Sequence, residues 1–224
     1  PYYSHLLRWN NTSHIAKHFS GNLKSRINGY DPKSELDSVM PEGFNDWSPL
    51  AKAQWLETSI FMSGYLLSSQ GDRMGMANSI EGRYPFLDHR LLEFAATLPP
   101  DFKLHGMNEK YLLKSMMKDK LPESIRRRSK QAYRAPIAQS FLNPNAPDYV
   151  QELLSDQHIK KTGLFNDASV AKFIDKIKAT ERPSEIENMT LVGIISTLLL
   201  NEQFINNRPA LKKNKLLKPR IIRE

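Results

Sequence analysis

The chain has 224 residues, 40% of them hydrophobic and 25% charged, enough for one sizeable core and a small appendage. It contains no cysteine, which excludes disulfide scaffolds, thiolate zinc sites and cysteine nucleophiles within it. The net charge of +8 sits mostly at the end, where seven basic residues between Arg208 and Glu224 stand against one acid, leaving +6 there and +2 in the remainder.

In chain order, Leu6 to Phe19 reads as a short helix. Residues 31–49, with three prolines, read as a connection or an irregular helix pair. Ser48 suits an N-cap with Pro49 at the first helical position. Leu50, Ala53, Leu56 and Ile60 then mark an apolar face as far as about Tyr65 or Leu67. A second helix is expected around Asp72 to Ser79. Pro85 stops any helix and pushes Tyr84 out of the helical region. Asp88 suits the cap of a helix His89 to Leu98, with Leu91, Leu92 and Phe94 inward, ended by Pro99-Pro100. Gly106 marks a turn, Asn108 is expected to cap Glu109 to Lys120, and Pro122 can open another helix. Residues 129–147 read mostly as loop. Helices are expected at 148–156, 167–179 and 184–206. No run of about 18 apolar residues predicts a membrane span, and no signal-peptide order opens the chain. With Pro1 in first place, the chain is expected to be cut from something longer. The predicted fold class is mainly α.

Three groups of residues can carry chemistry. Glu81 lies in the proline-fixed bend with Arg83 and Asp88 nearby, and can serve as base, ligand or arginine partner. Asp88 is equally well explained as a helix cap. The run Arg126-Arg127-Arg128-Ser129-Lys130-Gln131 suits either an anionic ligand or a solvated helix end. Lys110 stands at a predicted helix start, where positive charge opposes the dipole and suggests another partner. His14 and His18 share helical spacing but no adjacent acid completes a metal site, so they read as surface residues and no metal ligands are predicted. No glycine-rich phosphate loop occurs.

Taken in order, Asp72-Arg73-Met74-Gly75-Met76-Ala77 leading to Glu81-Gly82-Arg83-Tyr84-Pro85-Phe86-Leu87-Asp88, then Glu109-Lys110-Tyr111-Leu112-Leu113-Lys114, then Arg127-Arg128-Ser129-Lys130-Gln131-Ala132-Tyr133 form a pattern. It resembles the synthetase domain of the glutamine-hydrolysing asparagine synthetase family, well over about 55–140 and more loosely to about 206. The resemblance implies that residues 1–207 are the carboxy-terminal helical part of an α/β ATP-pyrophosphatase-type domain, of the adenine nucleotide alpha hydrolase-like class, with 208–224 a basic tail. It implies an ATP-dependent ligase with ATP and Mg2+, in which aspartate or a similar carboxylate becomes an acyl-adenylate. Ammonia from glutamine then forms the amide. Glu81 matches the family's active-site glutamate, Lys130 a lysine on the ATP phosphates, Lys110 a lysine near the same pocket, and Arg83 and Asp88 positions that shape it. The family's upstream glutaminase domain and S-G-G-x-D-S pyrophosphate loop are expected as partners, since this chain contains neither. Gly75 stands where a serine is common and Ala132-Tyr133 where Gly-Phe is common, which leaves the acceptor open. The fragment alone is expected to be inactive. A cytoplasmic location is expected, a homodimer is left open, and neither membrane nor nucleic acid is an expected partner. The alternative is a helical binding or scaffold module that works through its basic tail without catalysis.

Overall fold

The computed structural model describes residues 2–131 and 135–208. Ala132, Tyr133 and the tail from Pro209 onward lie outside the described residues. The fold is mainly α. Its helices are α1 (Tyr3–Ser13), α2 (Gly21–Arg26), α3 (Pro32–Ser38), α4 (Pro49–Leu56), α5 (Arg73–Ala77), α6 (His89–Thr97) and α7 (Pro100–Lys103). A two-residue hairpin, β1 (Leu104–His105) with β2 (Asn108–Glu109), follows. The series continues through α8 (Tyr111–Met116), α9 (Glu123–Arg126), α10 (Ile137–Leu142), α11 (Asp148–Leu153), α12 (Asp156–Thr162), α13 (Asp167–Lys178) and α14 (Glu185–Asn201). The chain divides into two compact units, Pro1–Leu6 with Lys33–Tyr133, and Leu7–Pro32 with Arg134–Glu224.

In the first unit, Ser48 caps α4 as expected: its hydroxyl accepts the Ala51 N–H at 3.2 Å, with Pro49 in the first turn. The helix does not stop near Leu67. It widens to i→i+5 winding over Glu57–Asp72 and runs straight into α5, replacing the two predicted helices. Thr58, Ser63 and Ser68 each donate a hydroxyl hydrogen bond, at 2.8 Å, to the carbonyl four residues back. Such back-bonding competes with the ordinary α ladder. The buried apolar centre here is small: Phe44 and Leu56, with the rings of Trp47 and Trp55 5.3 and 5.2 Å from that of Phe44. His5 is also buried, its Nε2 2.9 Å from Glu57 Oε2. Ile60, Leu91, Leu92 and Phe94, expected inward, are exposed.

Asp88 caps α6, accepting the Arg90 N–H at 2.9 Å. Asn108 does not cap the next helix. It pairs with His105 in the hairpin around Gly106 (φ 58°), and the helix begins two residues later, at Tyr111. Lys110 takes the cap position in a left-handed conformation (φ 55°).

The second unit holds the main core. Val150, Leu153, Ile159, Val170, Ile174, Leu191, Ile194 and Leu198 are buried in one cluster spread over four helices. α13 and α14 start on good caps. Asn166 accepts the Ser169 N–H at 2.8 Å, and Ser184 forms a reciprocal capping box with Glu187. Two segments differ from expectation: α10 forms inside the stretch read as loop, and α12, capped by Ser155, follows α11. The Pro136 and Pro147 that suggested a loop sit at N-cap positions, where a missing N–H costs nothing. Ser20 N donates to Leu164 O at 3.0 Å and Asn166 N to His18 O at 2.8 Å, fastening the turn His14–His18 to this helical cluster.

Candidate active site

The end of α5 delivers Glu81 through a defined turn. Ile80 N donates to Gly75 O at 2.8 Å and Ser79 N to Met76 O at 3.1 Å, with Ser79 left-handed at φ 56°. This double bond pattern is a Schellman helix end. Glu81 then lines a cleft of about 370 Å³ with Gly71, Asp72, Gly75, Gly82 and Tyr84. A Cβ on Gly82 would collide with the Tyr84 ring, so glycine is what lets that ring lie against the backbone. Glu81 pairs with Arg83 at 3.1 Å, and both side chains are more than 70% exposed. Water screens such a pair, so a ligand can displace Arg83 at little cost. Asp88 is more committed: its Oδ1 accepts Arg90 N and Nε, and its Oδ2 accepts Arg90 Nη2 at 2.8 Å. The Arg90 guanidinium holds the Asp88 carboxyl below the usual carboxylate range.

Lys110 and Lys130 are brought together. They line a second cleft of about 550 Å³, built from α8, α9 and the irregular segment after α9. Lys114, Arg126 and Arg128 line it too, against one acid, Glu109, so the wall is strongly cationic. Arg126 is partly neutralised: Glu123 accepts its Nε and Nη2 at 2.7 and 2.6 Å. That bond, with the neighbouring Arg127, pulls the Glu123 carboxyl down to about 2. Among the described residues, Lys110, Arg128 and Lys130 have no acid within ion-pair distance. The positive charge they present is therefore open to an anionic ligand. Lys114 Nζ is held 3.0 Å from Asn108 Oδ1. Sequence reasoning gave Lys114 no role, whereas Arg128 lies in the basic run read as suiting an anionic ligand. The signal for Lys114 was its place one helical turn after Lys110.

Residues 3–201 match the family described as asparagine synthase. The chain belongs to the asparagine synthase family. It is 28% identical over 188 residues to Amidase chyE of Penicillium rubens, covering 80% of this chain and 26% of that relative. It is 29% identical over 153 residues to Asparagine synthetase (glutamine-hydrolyzing) 1 of Bacillus subtilis, covering 65% of this chain and 24% of that one. With the Asparagine synthetase (glutamine-hydrolyzing) of Gallus gallus the identity is 32% over 99 residues, 41% of this chain and 17% of the relative. The chain thus spans about a quarter of the length of the first two relatives. No solved structure matches it at a significant level. The residues of both clefts, Gly71 to Gln131, fall within the stretch that matches the asparagine synthase family.

Proposed function

We propose that residues 1–207 form the carboxy-terminal part of the synthetase domain of an ATP-dependent, amide-forming ligase, with 208–224 a basic appendage. The observation that supports this most is the gathering of Lys110 and Lys130 on one cationic cleft in a chain of the asparagine synthase family. In this reading a substrate carboxylate oxygen attacks the α-phosphorus of ATP and pyrophosphate leaves. Ammonia then attacks the acyl carbon and AMP leaves. Lys110 and Lys130 offset the charge on the departing phosphates as point charges. Glu81, released from Arg83 when substrate enters, takes a proton from the attacking ammonia. Asp88 acts as a positioning residue, because its oxygens already hold Arg90 and the start of α6.

The acceptor is proposed to be the aspartate side chain or a similar carboxylate, and the ammonia to come from glutamine on a glutaminase domain. The name of the Penicillium relative, an amidase, keeps the proposal at the amide bond. Among the described residues no group of three acids or histidines gathers to hold a metal. Mg2+ is proposed only as a companion of the ATP phosphates, with which it commonly binds, and no step is routed through it. The proposal places the enzyme in the cytoplasm and allows a homodimer. No helix of the described residues is long and apolar enough to cross a membrane.

The test is ATP–pyrophosphate exchange in the full-length protein that carries this chain. Lys130→Ala is expected to lower exchange about 10- to 100-fold, the range for losing a charged hydrogen bond. Lys130→Arg is expected to recover part of it. Unchanged exchange in a folded Lys130→Ala protein would remove Lys130 from the site.

A further inference from the structure

The second unit contains a cleft of about 400 Å³ that shares no residue with the proposed ligase site. The turn His14–His18 contributes His14, Lys17 and His18, and α13 contributes Ser169, Lys172 and Lys176. Glu187, near the start of α14, is the one acid in its wall. That carboxylate is already engaged: Oε1 lies 2.7 Å from Lys176 Nζ, and Oε2 accepts the Ser184 N–H and hydroxyl at 2.8 Å. Lys176 and Glu187 therefore cancel. Lys17 and Lys172 are exposed, and among the described residues neither has an acid within ion-pair distance.

Two uncompensated lysines on one concave surface attract a dianion, and lysine binds phosphate as a point charge. Neutral partners stand beside them. Ser169 Oγ lies 2.9 Å from His18 Nδ1, which fixes both groups relative to the cleft. Burial, reinforced by the charges of Lys17 and Lys24, pushes the His18 imidazole down, although hydrogen bonding to the Ser169 backbone opposes this. The ring of Phe173, 4.7 Å from that of His18, gives the cleft an apolar wall beside these polar groups.

We propose that this cleft binds a phosphate group, free or as the monoester of a small metabolite, with Lys17 and Lys172 as charge partners and Ser169 and His18 as orienting hydrogen-bond groups. The site shares no residue with the two clefts of the first unit, so it stands or falls separately from the ligase reading.

The experiment is a nuclear magnetic resonance titration of the isotopically labelled chain with inorganic phosphate, then with ribose 5-phosphate, at constant ionic strength. Saturable shifts are expected at the amides of Lys17, His18, Ser169 and Lys172. The double variant Lys17→Ala/Lys172→Ala is expected to bind about tenfold more weakly or worse, as for loss of charged hydrogen bonds. Lys178→Ala, on the same helix outside the cleft, is expected to bind normally. Tighter binding of ribose 5-phosphate identifies a monoester site, and equal binding identifies a free-phosphate site. Shifts that never saturate, or a double variant that binds as well as the parent while keeping a folded spectrum, would overturn the proposal.

Discussion

Ser79 and Lys110 both hold left-handed backbone without being glycine, and each adjoins a candidate cleft. A side chain there meets its own backbone, which is why helix ends so often use glycine. Ser79→Gly is therefore expected to stabilise the chain by roughly 0.5–1 kcal/mol in chemical denaturation. Lys110→Gly should also relieve strain, yet it removes a cation from the cleft. Lys110→Gly is expected to gain stability while losing ATP–pyrophosphate exchange, two effects of opposite sign that separate backbone from ligand roles. The Asp88 cap was legible in the sequence because capping is local: an acid before a helix reaches the N–H two residues on. The gathering of Lys110 and Lys130 was legible only through family resemblance. Nothing in their spacing brings them together, because the turn after α8 and the short α9 between them do that. His18 read as a surface residue for the same reason: its partners, Ser169 and Phe173, lie about 150 residues away in the chain.

At the scale of elements, α14 carries the clearest energetic statement. Its capping box and the Lys176 ion pair share one carboxylate, Glu187. The bond to Lys176, followed by those from Ser184, pulls that group from about 4.5 to about 2. A carboxyl depressed in the folded state stabilises the fold above its unfolded pKa and loses that contribution as pH falls through the folded one. Stability is thus expected to decline between pH about 4.5 and about 2, and Glu187→Gln should flatten that part of the curve. Ser184→Ala removes the other half of the box and should cost about 1 kcal/mol by thermal denaturation. Deeper in the same helix, Leu198→Ala should cost about 2–5 kcal/mol, since Leu198 is fully buried. The helix period of α14 was readable in advance, whereas α10 and α12 were hidden behind prolines and a short polar joint. The continuous helix from Pro49 to Ala77 was read as two, because the apolar spacing fades after Leu67 into the polar run Ser68-Ser69-Gln70-Gly71, whose winding is not α-periodic. Ser63 and Ser68 bond their hydroxyls back to the carbonyls of Ser59 and Gly64 within it.

Across the whole molecule, burial is uneven. The second unit buries a connected core, while the first exposes Met76, Phe86 and Phe94 at 74%, 67% and 58%. Local opening follows local packing. Hydrogen exchange in the chain is therefore expected to protect amides of Ile194, Ile195 and Leu198 most strongly, and those of α6 weakly. Equal protection in both places would contradict this division. The most direct test of the central claim remains the cationic cleft. If Lys110 and Lys130 hold the phosphates of ATP, Lys130→Ala in the full-length protein lowers ATP–pyrophosphate exchange about 10- to 100-fold, with its circular dichroism unchanged. Exchange at the parent rate in that folded variant would contradict the account.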